Sequence, residues 1–231
     1  MRLDKYLTSC YIGSRKEVRD WIKEKKIKVN GVVVKDAGYA VDEINDQVSF
    51  QDKVLHYQVH HYFLLNKPKG YVSATQDNYQ PTILALFQDL PPLLVQTLFP
   101  VGRLDIDTEG MLIVTNDGDF AHRLTSPHFH IEKRYLVTYE GVLKSYQGEP
   151  LVLKDGTTFL PPQIEPIDNQ NLYMTLTEGK FHEVKRIIAY LGGKVTALKR
   201  VQIGSVMLPK NLEVGHYLEL SVEKIQQFFA T

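Results

Sequence analysis

Two carboxylates stand two residues apart, Asp105 and Asp107, beside Arg103 in the polar segment Val101–Gly110. A carboxylate and a guanidinium on one short, glycine-bounded loop can supply a nucleophile or general base with a cation at hand. Catalytic groups tend to sit on loops that a rigid scaffold holds in place. On spacing alone, a structural turn aspartate is the commoner explanation, because loops are rich in Asp for turn reasons. A paired-carboxylate glycoside hydrolase is a further reading, yet those enzymes oppose their carboxylates across a sugar, which two nearby loop residues do not guarantee. Eight histidines, including His60-His61 and His128-Phe129-His130, come without CxxC or HExxH spacing. His128 and His130 are expected to share a strand face with no third ligand signalled, so no metal site is expected.

The elements that must position these groups fall into two parts. From Tyr62 onward, strand-like runs dominate: YFLLNKP, MLIVTND, KRYLVTYE, LYMTLTE and YLELSV. Helical patterns are fewer, near Ile83–Phe87, Phe120–Leu124 and His182–Leu191. Met111–Val114 reads as a buried strand that ends in an Asn116-Asp117-Gly118 turn. A mostly antiparallel sheet with helices packed on it follows. Before Tyr62, Leu3, Tyr6, Leu7 and Cys10 recur at helical spacing. Ser14 with Glu17 forms a capping box that opens a helix of about ten residues, with Val18, Trp21 and Ile22 on its apolar face. Arg15, Arg19, Lys23 and Lys26 stack on another face of that helix. Asn30-Gly31 between Ile27–Val29 and Val32–Val34 is a hairpin signal, and a last strand is expected near Gln47–Phe50. Asp52–His61 reads as a polar linker with an edge strand.

With 231 residues, 43% of them hydrophobic, the chain can bury one large core or two unequal ones. The polar start MRLDKYLTSCYIGSRKE has no secretory h-region, and no apolar run approaches the roughly 20 residues of a membrane span. The single cysteine, Cys10, suits a reducing compartment and reads as a small apolar residue of the first helix, not a nucleophile. A cytoplasmic protein is expected. The formal net charge of zero hides a local excess. Residues 1–35 carry ten lysines and arginines against four acids, a net of +6, while residues 36–58 carry one lysine against five acids. A local basic footprint bears on phosphate binding more than total charge does. Residues 178–200 form a second patch: Lys180, Lys185, Arg186, Lys194, Lys199 and Arg200 against Glu178 and Glu183.

The motifs resemble a known family over nearly the whole chain and in order. RLDKYL, the SR that opens the basic helix and the VNG turn resemble the S4 RNA-binding domain. GRLDIDTEGMLIVTNDG resembles the signature of the RsuA-type pseudouridine synthases, GRLDxxTxGLLLLTNDG, in which the Asp of GRLD is catalytic. Tyr62–Val72 is similar to the family's YFxLNKPxGYV opening, Glu132–Val137 to its KxYxV strand, and Glu178–Arg186 to its EGxxHQV(K/R)R motif. IDIDTEG, HRLTSPHFHIEKRYLVT and EGKFHEVKR point to the branch that acts on small-subunit 16S ribosomal RNA. Same chemistry on 23S RNA, or a non-catalytic S4-containing ribosome-assembly protein, are the alternatives.

The resemblance implies an α+β fold: an S4-like RNA-binding domain at 1–58, and at 59–231 a catalytic domain on a mostly antiparallel mixed sheet with flanking helices. It implies an isomerase that converts uridine to pseudouridine without a cofactor, since product and substrate hold the same atoms. Asp105 would be the catalytic carboxylate, as nucleophile or as base, Lys185 its ion-pair partner, and Tyr135 a stacking group on uracil. The target base should be flipped out, with Arg103 filling the vacated stack. Arg15, Lys16, Arg19, Lys23 and Lys26, with Lys180 and Arg186 near the site, would contact RNA phosphates. The expected partner is ribosomal RNA or an assembling small-subunit particle, bound by a monomer, with no membrane. One departure stands out: Glu183 replaces the family's usual Gln.

Overall fold

A computed structural model describes residues 1–230 of the chain, which divide into two compact units, 1–61 with 87–97, and 62–86 with 98–230. In the first unit, α1 (Leu3–Ser9) and α2 (Arg15–Lys23) precede β1 (Ile27–Val29), β2 (Val32–Val33), β3 (Val48–Phe50) and β4 (Lys53–Val54), and α3 is the short Pro92–Val95 turn of helix. Ser14 caps α2 through a reciprocal box with Glu17, which satisfies otherwise orphaned helix N–H groups. Val29 pairs directly with Val32. Asn30 (φ 50°) and Gly31 (φ 78°) therefore form the two-residue turn that demands positive φ at both positions. Leu3, Leu7, Val18, Ile22, Ile27 and Val48 close the core of this unit, and Trp21 stacks on Phe50 with ring centroids 4.5 Å apart. Cys10 is half-buried at the end of α1, its thiol pushed up to about 12 by burial, so it is an unreactive packing group.

Asp4 is the buried charge of this unit. Its carboxylate accepts from Arg2 Nε at 3.0 Å and from Arg19 Nη2 at 2.9 Å. The Arg2 bond, against the effect of burial, and the Arg19 bond hold the carboxyl down to about 2. Because the folded value lies below the unfolded one, this stabilisation is fully present above about pH 4 and fades as pH falls through about 2. Asp4→Asn is expected to lower stability by about 2 kcal/mol at pH 7. Denaturant melts at pH 7 and pH 2 should show that difference shrinking at the lower pH.

The second unit is built on nine strands: β5 (Tyr62–Lys67), β6 (Phe99–Val101), β7 (Glu109–Thr115), β8 (Lys133–Gly141), β11 (Gln163–Pro166), β12 (Asn171–Leu176), β13 (Gly193–Ile203), β14 (Val206–Met207) and β15 (Tyr217–Glu219), with β9 (Leu151–Val152) and β10 (Thr158–Phe159) as a separate hairpin. The order is β11-β12-β8-β13-β7-β5-β15, with β14 on β13 and β6 on β7. Every pairing is antiparallel except β13 with β7. Helices α4 (Gly118–Thr125), α5 (Glu183–Tyr190) and α6 (Val222–Gln227) pack on this sheet. Met111–Val114 is fully buried. Asp117 caps α4 by accepting from the N–H groups of Asp119 and Phe120, so the Asn-Asp-Gly turn is also a helix start. Ile83–Leu86 is a single 3-10 turn, shorter than the expected helix. His128 and His130 do not share a strand: Pro127–Phe129 is a 3-10 turn and His130 is left-handed, because Pro127 at its start favours a turn.

The topology positions one loop above all. One edge of β7 pairs with β13 at Glu109 and Gly110 and with β6 at Ile113–Thr115. The loop 102–108 joins β6 to β7. Gly110 has φ +100°, and a Cβ there would overlap the Arg200 carbonyl oxygen of β13; only glycine lets the two backbones meet.

Candidate active site

The 102–108 loop is pinned from beneath. Lys67 is fully buried, and its Nζ donates to the carbonyl oxygens of Pro68 (3.0 Å), Asp105 (3.1 Å) and Thr108 (2.9 Å). Burial brings this ammonium down to about 8, against the attraction of Asp107, Asp105 and Glu109. Ser73 Oγ donates to the Leu104 carbonyl and accepts from its N–H, and Gly70 N–H reaches the Ile106 carbonyl at 2.8 Å. Together these bonds fix the backbone that presents the Asp105 side chain.

The opposite wall is the start of α5. Lys185 Nζ donates to Asp105 Oδ2 at 2.8 Å and to Asp107 Oδ1 at 2.7 Å. The side chains of Asp105 and Lys185 are about one-quarter exposed, 28% and 25%, so the pair is partly shielded from solvent screening. Burial opposes the charge on Lys185, but the hydrogen bonds and charges of the two aspartates outweigh it and hold its pKa above the ordinary lysine value. Burial likewise opposes the charge on Asp107, and Lys185 reverses that effect. His182 Nε2 lies 3.5 Å from Asp105 Oδ1, and its ring stacks on Phe181 at 3.7 Å.

Asp105 and Lys185 stand at a cleft of about 150 Å³. Tyr135, Leu176, Val184 and Leu198 give it an apolar wall, and Lys133, Arg200 and Glu183 are its buried charged lining. Arg200 pairs with Tyr135 across β13 and β8, so the two side chains leave the same face of the sheet. The cleft thus sets an apolar wall beside a partly exposed ion pair.

The structure gathers Asp105, Tyr135 and Lys185 around one cleft. Arg103 is exposed at its mouth. Lys180 also lines it, with Nζ bonded to Glu178 Oε1 (2.8 Å) and the Thr158 carbonyl (2.6 Å). Arg186 faces elsewhere and ties α5 to the β9–β10 hairpin through Asp155 Oδ2 and Thr157 Oγ1. In the N-terminal unit, Arg15 and Lys16 are exposed, Lys23 lies 3.8 Å from Asp20, and Lys26 pairs with Glu24 at 2.7 Å. Arg19 is half-exposed, with its guanidinium on Asp4, so it serves folding as well as charge. The second basic patch is not uniform: Arg200 is buried and Lys194 pairs with Glu140. Glu183 is buried, its carboxylate accepts the Lys180 N–H at 2.8 Å, and burial raises its pKa. Sequence reasoning gave no role to Lys67, Lys133 or His182. Their places in NKP, EKRY and KFHE were the available signals.

Residues 61–190 match the RNA pseudouridylate synthase family and residues 1–48 match the S4 domain. The chain is 37% identical to ribosomal small subunit pseudouridine synthase A of Haemophilus influenzae, covering 98% of this chain and 99% of that one. It is 36% identical to the protein of the same name from Escherichia coli, at 97% and 98% coverage. A crystal structure of a pseudouridylate synthase superposes with a TM-score of 0.67 at 35% identity, covering 99% of both chains. The chain belongs to the RNA pseudouridylate synthase family, with an S4 domain at its N-terminus.

Proposed function

We propose that this protein converts a specific uridine of small-subunit 16S ribosomal RNA to pseudouridine, acting as a cytoplasmic monomer with residues 1–58 as its RNA-binding domain and 59–231 as its catalytic domain. The observation that carries the reading is the Lys185–Asp105 ion pair at the cleft lined by Tyr135. Its small-subunit target rests on the relatives of that name, which match over nearly their full length.

The reaction breaks the N1–C1′ bond, turns the uracil and joins C5 to C1′. In one route the Asp105 carboxylate bonds to C1′ and is later displaced by C5. In the other it removes the C2′ proton and returns it. Both end with loss of the C5 proton and protonation of N1, so no atom is gained and no cofactor is required. Lys185 supplies the opposite charge and a hydrogen bond to this carboxylate. Tyr135 stacks on the uracil and assists removal of the C5 proton. The uridine reaches the cleft only when flipped from its stack, and exposed Arg103 at the mouth is placed to fill the vacancy.

Incubating the protein with unmodified 16S RNA, naked and in assembling particles, and mapping pseudouridine by position tests the reading. One new pseudouridine in small-subunit RNA is expected; modification confined to 23S RNA would refute the target, and none at all the activity. Phosphate contacts are tested separately at Arg15 and Lys16, which leave the Asp4 cluster intact. Arg15→Glu with Lys16→Glu is expected to weaken RNA binding roughly tenfold or more and to lower the salt slope by about one to two. Filter binding across a salt series reads both, and an unchanged slope would remove this face from the interface.

A further inference from the structure

The buried end of the cleft carries charges that the scheme above does not use. Arg200 is 5% exposed; its Nε donates to the Met111 carbonyl at 2.7 Å, while Nη2 has no partner among the described residues. Lys133 is 8% exposed, and among the described residues its Nζ makes one long hydrogen bond, 3.4 Å, to the Thr177 carbonyl. Thr108 Oγ1 is a second buried, unpartnered polar atom in the cleft lining. Burial, then the neighbouring Arg200, pulls the Lys133 ammonium down to about 8, and only Glu183 acts in the other direction. Two buried cations with donors to spare, facing one buried carboxyl, are costly to keep. A scaffold that needed only stability would satisfy them or replace them with apolar side chains. These donors await acceptors that arrive with the ligand.

We propose that Arg200 Nη2 and Lys133 Nζ bind the ring carbonyl oxygens of the target uracil and stabilise the negative charge that collects there when the base leaves the sugar. The proposal rests on the uridine reading above and deepens it. As C1′–N1 breaks, the bonding pair passes to the uracil, giving an anion delocalised from N1 onto O2 and O4. C1′ is meanwhile held by Asp105, or by the double bond left when the C2′ proton departs. The pair returns as the C5–C1′ bond, with the C5 proton lost and N1 protonated. Fixed cations aimed where charge develops favour this step over the ground state. They also select the base: a carbonyl accepts from a cation, whereas the exocyclic amine of cytosine at C4 presents only donors.

The test pairs protein variants with single-atom changes in the RNA. Lys133→Met keeps side-chain length and removes the charge. Arg200→Lys keeps charge and removes the fork. Lys133→Arg restores charge. Each enzyme is assayed in single turnover on RNA carrying uridine, 2-thiouridine or 4-thiouridine at the mapped position, since sulfur accepts hydrogen bonds poorly. Lys133→Met and Arg200→Lys are each expected to slow the uridine reaction roughly ten- to hundredfold, with RNA affinity unchanged and Lys133→Arg recovering much of the rate. At least one thio substitution should slow the wild type by a similar factor and add little in the variant that has lost its partner. Additive losses on both thio RNAs, wild-type rates in the variants, or a loss confined to RNA affinity and its salt slope, as for a phosphate contact, would overturn the proposal. Should Arg200→Lys fail to fold, because Nε anchors β13 to β7, Lys133→Met alone decides. A wild type inactive on every ribosomal RNA refutes the uridine reading itself, and this proposal with it.

Discussion

Asp105→Asn is expected to lower the single-turnover rate of pseudouridine formation by at least about 10⁴-fold, leaving RNA affinity and melting temperature near wild type. Asparagine keeps the shape of the side chain and one acceptor oxygen. It can neither bond to C1′ nor take the C2′ proton, so both routes close together. Folding should survive because the loop is held by main-chain atoms: Lys67 and the Thr108 N–H bond the Asp105 carbonyl, not its carboxylate. Lys185 also keeps Asp107 at 2.7 Å as a partner. Rapid-quench assays with nucleoside analysis, beside RNA titrations, separate chemistry from binding. Residual activity within tenfold of wild type would exclude the carboxylate from the chemical step.

Lys185→Met is expected to cost roughly 10²–10³-fold in the same assay. It removes the cation shared by two carboxylates. The reacting carboxylate then loses the fixed cation and donor that orient it for the chemical step. Lys185→Arg keeps the charge and should recover a substantial part of the rate, which a purely steric role would not explain. An equal loss in both variants would point to shape and against charge.

Much of this site was legible in the residues because its parts are local. The GRLD loop, the EGKFHEVKR helix start, the Ser14–Glu17 box and the Asn30-Gly31 turn each carry their own spacing. What escaped depends on long-range contact. β13, the longest strand, went unread because GKVTALKRVQI mixes cations with apolar residues and resembles a basic patch. Its Arg200 lies buried on the sheet face it shares with Tyr135, which only the β13–β8 register discloses. The place of Lys67 in NKP did not disclose its partners, because they are carbonyls, two of them roughly forty residues away in the chain. Arg19 looked like a free member of a basic stripe, while its partner Asp4 sits fifteen residues earlier on another helix. Periodicity reports which face is apolar; it does not report which charge will be sealed beneath a loop.

The account stands most directly on the fate of one hydrogen. When C5 of the target uridine becomes bonded to C1′, the hydrogen on C5 must leave for solvent. Small-subunit RNA labelled with tritium at uridine C5 should therefore release one tritium per RNA to water with the wild-type protein, and none above background with Asp105→Asn. No release by the wild type, or release by Asp105→Asn at the wild-type rate, would contradict it.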